Sequence, residues 1–461
     1  MKPAKAIMST GLLAAAAALA APAVAPVSAA SPAAPGSHVT GTLPDGASWV
    51  ADVPARWNGT LLLYSHGLGP LTAADAPDPD TSAALLARGY ALAGSSYDPS
   101  GSEWALDSAV RDQFGALQAV EAGVLPSRPR HVLAVGTSMG GLVSALEAQA
   151  GGSDAGRIDG ALTTCGIVAG AVSLNNYQLD GEYALAQLLL PAQRVQLVRF
   201  ADATAALSTA AALQDAAAQA QPTAAGRARL ALALAFINVP PWDASQVAPP
   251  PASDPAAQEA AQYQVEFTGS FSTLDFIESG RPSIDQAAGG SASWTRGVNF
   301  ASVLARSPYR AEVTALYRAA GLSLRADLGT LTRHADITAD PAAVRSLERT
   351  SVPDGYLAVP ELDLHTISDQ LVPVQQENHY ARRVAAAGDR NLLRQAYVAS
   401  VGHCNFSPAE LVAGVLALSH RVTAGRWDSV AAPASLDRVA SGLNLGPARF
   451  TAYSPGPLTG A

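Results

Sequence analysis

Short, continuous apolar runs alternate with amphipathic stretches in the first third of the chain. Between two of these runs, apolar residues from Leu106 to Val124 recur every three or four positions, which predicts a helix packed on one face. Continuous apolar runs are typical of strands buried on both faces of a parallel sheet. Such alternation of strands and helices indicates βαβ units, and hence an α/β fold. The runs predicted as strands are 59–64, 90–94, 131–135 and 159–164.

The pattern changes after Cys165. Alanine and leucine then recur at helical spacing as far as Pro353, which predicts an inserted, mostly helical cap. Strand patterns return at 356–360, 362–366 and 393–398, and helical stretches follow near 374–387 and 408–420. The fold class predicted is α/β, with a mostly parallel sheet, helices on both faces and the cap. The predicted segments are a first core part at 30–166, the cap at 167–355, a second core part at 356–432 and a loop-like tail at 433–461, to which we assign no role.

The first 29 residues have the layout of a secretory signal peptide. Lys2 and Lys5 precede an apolar run at 11–21, and small residues follow up to Ala29. This arrangement predicts cleavage after Ala29 and a secreted, extracellular protein, although an alanine-rich disordered leader is the alternative. Since no other stretch reaches about 18 uninterrupted apolar residues, we expect no stable membrane insertion.

Composition narrows the possible partners and cofactors. Of the 461 residues, 49% are hydrophobic and 15% are charged, which indicates a globular chain. The formal net charge is −9 without a basic cluster, so we expect no nucleic-acid partner. Neither a metal-ligand motif nor a G-x-G-x-x-G after a strand occurs, so we expect no metal and no cofactor.

The chain has two cysteines, Cys165 and Cys404. An exported chain meets an oxidising environment, in which a pair of cysteines tends to close. We therefore predict a disulfide between them, with two separate buried thiols as the alternative.

Residues 136–140 form a G-x-S-x-G pattern directly after an apolar strand and before an amphipathic helix. The small residues at Gly136 and Gly140 let the chain turn sharply, so that the Ser138 hydroxyl stands clear at the end of the strand. This setting predicts Ser138 as a nucleophile. A glycine-rich turn without function is the alternative.

A serine nucleophile needs a base and a group that orients the base, and in this type of sheet they follow in the order acid, then histidine. Asp369 comes just past the strand at 362–366, and His403 follows the strand at 393–398. We predict Asp369 as the acid and His403 as the base, with Asp363 and Glu361 as alternative acids. The less well placed histidines are His131, His365, His379 and His420.

The turn Ser65-His66-Gly67 ends another apolar strand. A loop of this kind can aim a backbone N–H at the oxyanion of a tetrahedral intermediate, and the residue after the nucleophile supplies a second donor. We predict the amides of Leu68 and Met139 as this oxyanion hole, with Gly67 as the alternative to Leu68.

These motifs resemble the α/β-hydrolase superfamily over about half of the chain. The chain most resembles secreted actinobacterial-type serine hydrolases described as esterase-like or prolyl-oligopeptidase-like. His403-Cys404 is also similar to the tannase and feruloyl-esterase group, in which a disulfide joins cysteines beside the nucleophile and after the base. Thr137 stands where that group has the first cysteine.

The expected function is therefore a secreted serine esterase that works through an acyl-enzyme on a small-molecule or polymeric ester. A peptidase or amidase that uses the same residues is the first alternative. A secreted binding protein without catalysis is the second.

Overall fold

The computed structural model describes residues 36–150, 157–268 and 272–460. The predicted signal peptide lies outside the described residues. The strands are β1 (Ser37–Thr42), β2 (Ser48–Val53), β3 (Thr60–Ser65), β4 (Ala91–Ser95), β5 (His131–Thr137), β6 (Gly160–Thr164), β7 (Glu361–Ser368), β8 (Leu393–Val401) and β9 (Phe450–Thr451).

The helices are α1 (Pro79–Ala87), α2 (Ala109–Gly123), α3 (Met139–Ala150), α4 (Ala171–Leu189), α5 (Ala203–Ala220), α6 (Ala224–Ile237), α7 (Pro255–Tyr263), α8 (Thr273–Ala288), α9 (Phe300–Arg306), α10 (Arg310–Ala319), α11 (Leu324–His334), α12 (Pro341–Thr350), α13 (Gln375–Ala387), α14 (Pro408–Ala424) and α15 (Pro433–Leu443). One turn of π-helix (Gln264–Thr268) follows α7.

All nine strands belong to one sheet, in the order β1-β2-β4-β3-β5-β6-β7-β8-β9. The six strands from β4 to β8 in this order are parallel, while β1, β2 and β9 pair antiparallel at the two edges. The carboxyl ends of the parallel strands therefore meet at one edge of the sheet, which is where ligands bind in open α/β sheets.

Helices cover both faces of the sheet. Helices α2, α3 and α13 pack on one face, and α1, α14 and α15 pack on the other. In β7 the two faces differ in chemistry: Leu362 and Leu364 join the apolar cluster with α14, whereas the side chains of Asp363 and His365 hydrogen-bond partners outside it. The predicted fold class is confirmed by this mostly parallel sheet with helices on both faces.

The insertion between β6 and β7 is helical from α4 to α12, as predicted, and has its own apolar core. The N-terminal strands β1 and β2 were not among the predicted strands. The strand expected at 356–360 is wrong, because this segment is a loop whose Ala358 amide donates to the carbonyl of Ala148 in α3. Leu357 and Val359 of this segment are buried without joining the sheet, while Tyr356 and Ala358 are exposed.

The prediction of a loop-like tail is also wrong. Residues 433–443 form α15, and β9 extends the sheet beside β8. The chain then runs on to the cap, where the Thr459 hydroxyl lies 2.7 Å from Oδ1 of Asn238 and the Thr459 amide donates to the same oxygen. The tail therefore ties the edge of the sheet to the helical insertion. In the described part of the chain, no helix is long and apolar enough to cross a membrane.

Candidate active site

Ser138 lies in the sharp turn between β5 and α3. Its φ of +60° belongs to the left-handed region, which costs a non-glycine residue about 1 kcal/mol or more. The turn closes because the neighbouring glycines have no side chain: a Cβ would lie 1.8 Å from the Gly140 carbonyl oxygen if added at Gly136, and 1.9 Å from that of Ser65 if added at Gly140. The backbone holds Ser138 at the carboxyl edge of the sheet.

Three side chains from three separate loops form a chain of hydrogen bonds at this edge. The Ser138 hydroxyl lies 2.8 Å from Nε2 of His403, and Nδ1 of His403 lies 2.8 Å from Oδ2 of Asp369. With the imidazole proton on Nδ1, His403 donates to the carboxylate and accepts from the serine. The structure thus brings Ser138, His403 and Asp369 together within direct hydrogen-bonding distance.

Asp369 is 1% exposed and uses both carboxylate oxygens. Oδ1 accepts the amide protons of Leu371 and Val372, while Oδ2 faces His403. Burial alone would raise the pKa of Asp369, but the charge and hydrogen bond of His403, with help from His365 and the Val372 amide, hold it below its ordinary value. The carboxyl is therefore held as the anion.

The two alternative acids, Glu361 and Asp363, form hydrogen bonds with residues other than His403. Glu361 accepts a 2.8 Å hydrogen bond from the Tyr380 hydroxyl, and Asp363 accepts one of 2.6 Å from the Thr163 hydroxyl. Burial raises the pKa of both carboxyls well above the ordinary value. Of the three acids considered from the sequence, Asp369 is the one that contacts His403.

The turn at His66-Gly67 packs directly against the serine. A Cβ on Gly67 would lie 3.3 Å from Cβ of Ser138, so this position has little room for a larger side chain. The turn is held by the Tyr97 hydroxyl, which donates to the His66 carbonyl, and by stacking of the two rings at 4.2 Å. Leu68 follows this turn, and the Met139 amide is a first-turn donor of α3 that has no helical acceptor.

Cys165 and Cys404 form a disulfide bond. Cys165 directly follows β6 and is completely buried, whereas Cys404 directly follows His403. The Cys404 sulfur lies 3.3 Å from Nε2 of His403. The bond therefore ties the loop that carries His403 to a strand next to the one that ends at Ser138.

The strand order, the left-handed serine between strand and helix, and the chain order of serine, aspartate and histidine together identify the architecture. The chain has the α/β-hydrolase fold. Its helical insertion follows β6, the strand next to β5. No protein-family model matches the chain.

Comparison with known proteins gives one related sequence at moderate identity. An o-phthalyl amidase of Xanthobacter agilis is 29% identical over 441 residues, covering 89% of this chain and 93% of that protein. Among solved structures, feruloyl esterase B from Aspergillus oryzae aligns with a TM-score of 0.39 at 13% identity, over 84% of this chain and 81% of its own. The acylaminoacyl peptidase of Pyrococcus horikoshii aligns with a TM-score of 0.37 at 9% identity, over 91% of this chain, which spans 43% of that protein.

A small cavity lies beside Ser138. Leu174 of α4 and Ile277, Gly280 and Ile284 of α8 form its cap side. Their spacing of three and four residues in α8 places them on one face of that helix. The core side is formed by Leu68, Trp104, Ile167, Leu371 and Val372.

The sequence analysis did not predict the supporting roles of two residues, His365 and Arg449. The buried ring of His365 lies behind Asp369: its Nε2 is 2.8 Å from the Val372 carbonyl and its Nδ1 is 2.8 Å from Glu377 Oε1. Arg449 lies on the other side, where its guanidinium bonds the Asn405 carbonyl and the Glu410 carboxylate. His365 holds the turn after Asp369, and Arg449 holds the loop after His403.

The chemistry of the site points to proton transfer and nucleophilic attack. Cys165, His403 and Cys404 form the one group of metal-ligand types found in the described segments, and the disulfide takes both sulfurs out of the thiolate form that binds metals.

The sequence located Ser138, Asp369 and His403 because each follows a strand. The supporting contacts of His365 and Arg449 were not predicted, because no sequence motif marks a histidine inside a strand or an arginine 44 residues beyond Asn405 as a support of the site.

Proposed function

We propose that this protein is a serine hydrolase that cleaves carboxylic esters through an acyl-enzyme. Ser138 attacks the substrate carbonyl, and His403 takes the serine proton and passes it to the leaving alcohol. Asp369 keeps the imidazole in the required orientation and stabilises its charged form. The amides of Leu68 and Met139 donate to the oxyanion. Water then releases the acid from Ser138 with His403 again as base.

The observation that carries this proposal is the 2.8 Å contact on each side of the His403 ring. A hydroxyl within hydrogen-bond reach of a base, which is itself oriented by a carboxylate, is the arrangement that activates a serine. The low pKa of Asp369 supports it, because an ionised carboxylate stabilises the imidazolium that forms during attack.

The cavity beside Ser138 supports an apolar acyl group in the substrate. Its walls are almost entirely aliphatic or aromatic side chains, and the described lining contains no charged side chain. Moving an apolar group from water into such a site lowers the free energy by roughly 25 cal/mol for each square ångström buried. A charged acyl group would lie there unpaired.

A second candidate function is an amidase. The similarity to an o-phthalyl amidase over most of both chains favours it. Amide cleavage uses the same residues, since His403 protonates a nitrogen leaving group in the same way. Paired p-nitrophenyl ester and p-nitroanilide substrates with one acyl group distinguish the two functions by their kcat/KM values.

A fluorophosphonate probe tests the nucleophile without a known substrate. We expect covalent labelling located at Ser138 by peptide mass spectrometry, and loss of the label in Ser138→Ala. Ser368→Ala is the matched control, because Ser368 also ends a strand at this edge but its hydroxyl donates to the Trp242 carbonyl. Absence of labelling in the folded protein, or a label that persists in Ser138→Ala, would contradict the proposal.

We also propose that the chain is exported, on the layout of its first 29 residues. N-terminal sequencing of the protein from culture medium would test this, with a mature N-terminus at Ala30 as the expected result.

A further inference from the structure

One wall residue of the Ser138 cavity differs from its neighbours. Gln178 comes from α4, one helical turn after Leu174, and both residues line the cavity. The side chain of Gln178 can donate two hydrogen bonds and accept two. The other side chains that line the cavity, apart from Ser138 itself, are apolar or absent.

The amide of Gln178 lines the cavity and has no protein partner. The residue as a whole is 5% exposed, but its amide atoms are not among the fully buried ones, and no described residue donates to or accepts from its side chain. Other buried amides of the cap also have an oxygen without a partner, such as Asn175 and Gln262, but neither of these residues lines the cavity. Because the Gln178 amide keeps accessible surface in an otherwise apolar wall, its donors and acceptor are free to bond a group that enters the cavity.

We propose that Gln178 is a substrate-specificity residue that hydrogen-bonds a neutral polar substituent, such as a hydroxyl, on an otherwise apolar acyl group. This inference rests on the proposed function, because it places the acyl group of the bound ester in this cavity. The apolar walls bind the body of the acyl group, and the single amide selects among acyl groups by their substituents.

Charge considerations exclude an anionic substituent from the preferred substrate. The described lining of the cavity holds no arginine or lysine, so a carboxylate beside Gln178 would be buried without a counter-charge. A hydroxyl or carbonyl group can instead exchange its hydrogen bonds with water for bonds with the amide. A site built to bond such a group discriminates against the analogue that lacks it.

The position of the cap supports a direct contact between wall and substrate. Helix α8 approaches the turn near Ser138 so closely that a Cβ on Gly280 would lie 3.5 Å from Cδ2 of Leu68. An acyl group attached to Ser138 must therefore lie between the turn and the two cap helices. Gln178 is the polar side chain that α4 contributes to this space.

A matched series of substrates tests the proposal. We would measure kcat/KM for p-nitrophenyl 3-phenylpropionate, its three monohydroxylated ring isomers and its ring-carboxylated analogue, in wild type and in Gln178→Met. Wild type should prefer at least one hydroxylated isomer over both other esters. In Gln178→Met, the ratio of kcat/KM between that isomer and the unsubstituted ester should fall about 10- to 100-fold.

The control is Gln262→Met, which makes the same replacement at a buried cap glutamine outside the cavity. The substrate ratio of this variant should match that of wild type. An unchanged ratio in Gln178→Met, or a preference for the carboxylated ester that Gln178→Met leaves intact, would overturn the inference.

A binding measurement separates failure of this inference from failure of the proposed function. In the Ser138→Ala background, calorimetry should give a tighter Kd for the preferred hydroxylated ester than for the unsubstituted one, and the difference should disappear when Gln178→Met is added. If the fluorophosphonate labels Ser138 but Gln178→Met changes neither ratio, the inference is wrong while the serine-hydrolase proposal stands. If no labelling and no hydrolysis occur but binding depends on Gln178, the serine-hydrolase proposal is wrong while the role of Gln178 in binding stands.

Discussion

Two carboxyl groups, one at the edge of the sheet and one inside the cap, are almost equally buried and have opposite pKa shifts. Asp369 is 1% exposed and Glu312, on α10, is 3% exposed. Burial acts on Asp369 first, yet His403 and the other partners of the carboxylate hold its pKa below the ordinary value. Burial and repulsion from Glu259 raise the pKa of Glu312 to about 8.

The difference comes from their partners. Asp369 receives two backbone amides and an imidazole, whereas neither oxygen of Glu312 has a hydrogen-bond partner in the described part of the chain. Glu266, also in the cap, has the same lack of partners, and burial raises its pKa to about 8. Partners therefore hold Asp369 as an anion, while Glu312 and Glu266, buried without partners, favour their neutral form.

The largest effect should come from removing the charge at the edge of the sheet. In Asp369→Asn, the new amide no longer favours the imidazole proton on Nδ1, so Nε2 loses its ability to accept from Ser138. We expect kcat to fall about 10³- to 10⁴-fold. Steady-state kinetics with the best ester would measure this loss, and a circular dichroism melt would verify folding.

Asp363→Asn is the matched control for this change. Asp363 is a buried aspartate of β7, but burial and Glu377 raise its pKa well above the ordinary value, so an amide replaces a neutral group. The loss of kcat in this variant should be far smaller. Equal losses in the two variants would mean that the opposite charge states of these two aspartates do not matter for activity.

A smaller effect should follow from cutting the disulfide. The Cys165→Ala/Cys404→Ala variant frees the His403 loop from β6, although Arg449 still bonds the carbonyl of Asn405. We expect kcat to fall about 10- to 100-fold, because small displacements of a base are costly. The free energy of unfolding should drop by about 2–5 kcal/mol, since the bond closes a loop of 239 residues.

The rate of fluorophosphonate labelling at Ser138 reports the same effect without a substrate. It should fall together with kcat in the double variant. Full activity in Cys404→Ala would show that the edge of the sheet keeps its geometry without the disulfide, and that Arg449 and the backbone suffice.

The sheet could be predicted from the sequence wherever a strand is a continuous apolar run, as for β3 and β5. The segment at 356–360 shows the limit of that rule. Its Leu357 and Val359 are as apolar as a strand and are buried in the core cluster, but the chain there pairs with α3 rather than with a strand. An apolar pattern predicts that a segment is buried, but it does not predict which backbone groups the segment will hydrogen-bond.

Some residues of the candidate site could likewise be predicted from the sequence, and others could not. Ser138, Asp369 and His403 could be located because each directly follows a strand, and parallel strands bring their carboxyl ends together. The contributions of His365, Arg449 and Gln178 could not be predicted, because they depend on the folded positions of these side chains and not on a sequence motif. No local pattern distinguishes Gln178 from any other polar residue of an alanine-rich helix.

The smallest effect concerns the stability of the cap and how it depends on pH. Glu312 keeps its proton up to about pH 8 in the folded protein, whereas in the unfolded chain it loses the proton near its ordinary value of 4.5. Between these values the folded state binds more protons, so this group makes the free energy of unfolding decrease as the pH rises.

The Glu312→Gln substitution removes this pH-dependent decrease in the free energy of unfolding. We expect the variant to be more stable than wild type by about 1–3 kcal/mol at pH 8, with a much smaller difference at pH 5. Melting temperatures between pH 5 and pH 9 would measure this, with the exposed Glu348→Gln on α12 as control. A constant difference across that range would show that Glu312 is ionised in the folded cap, and the contrast with Asp369 would then fail.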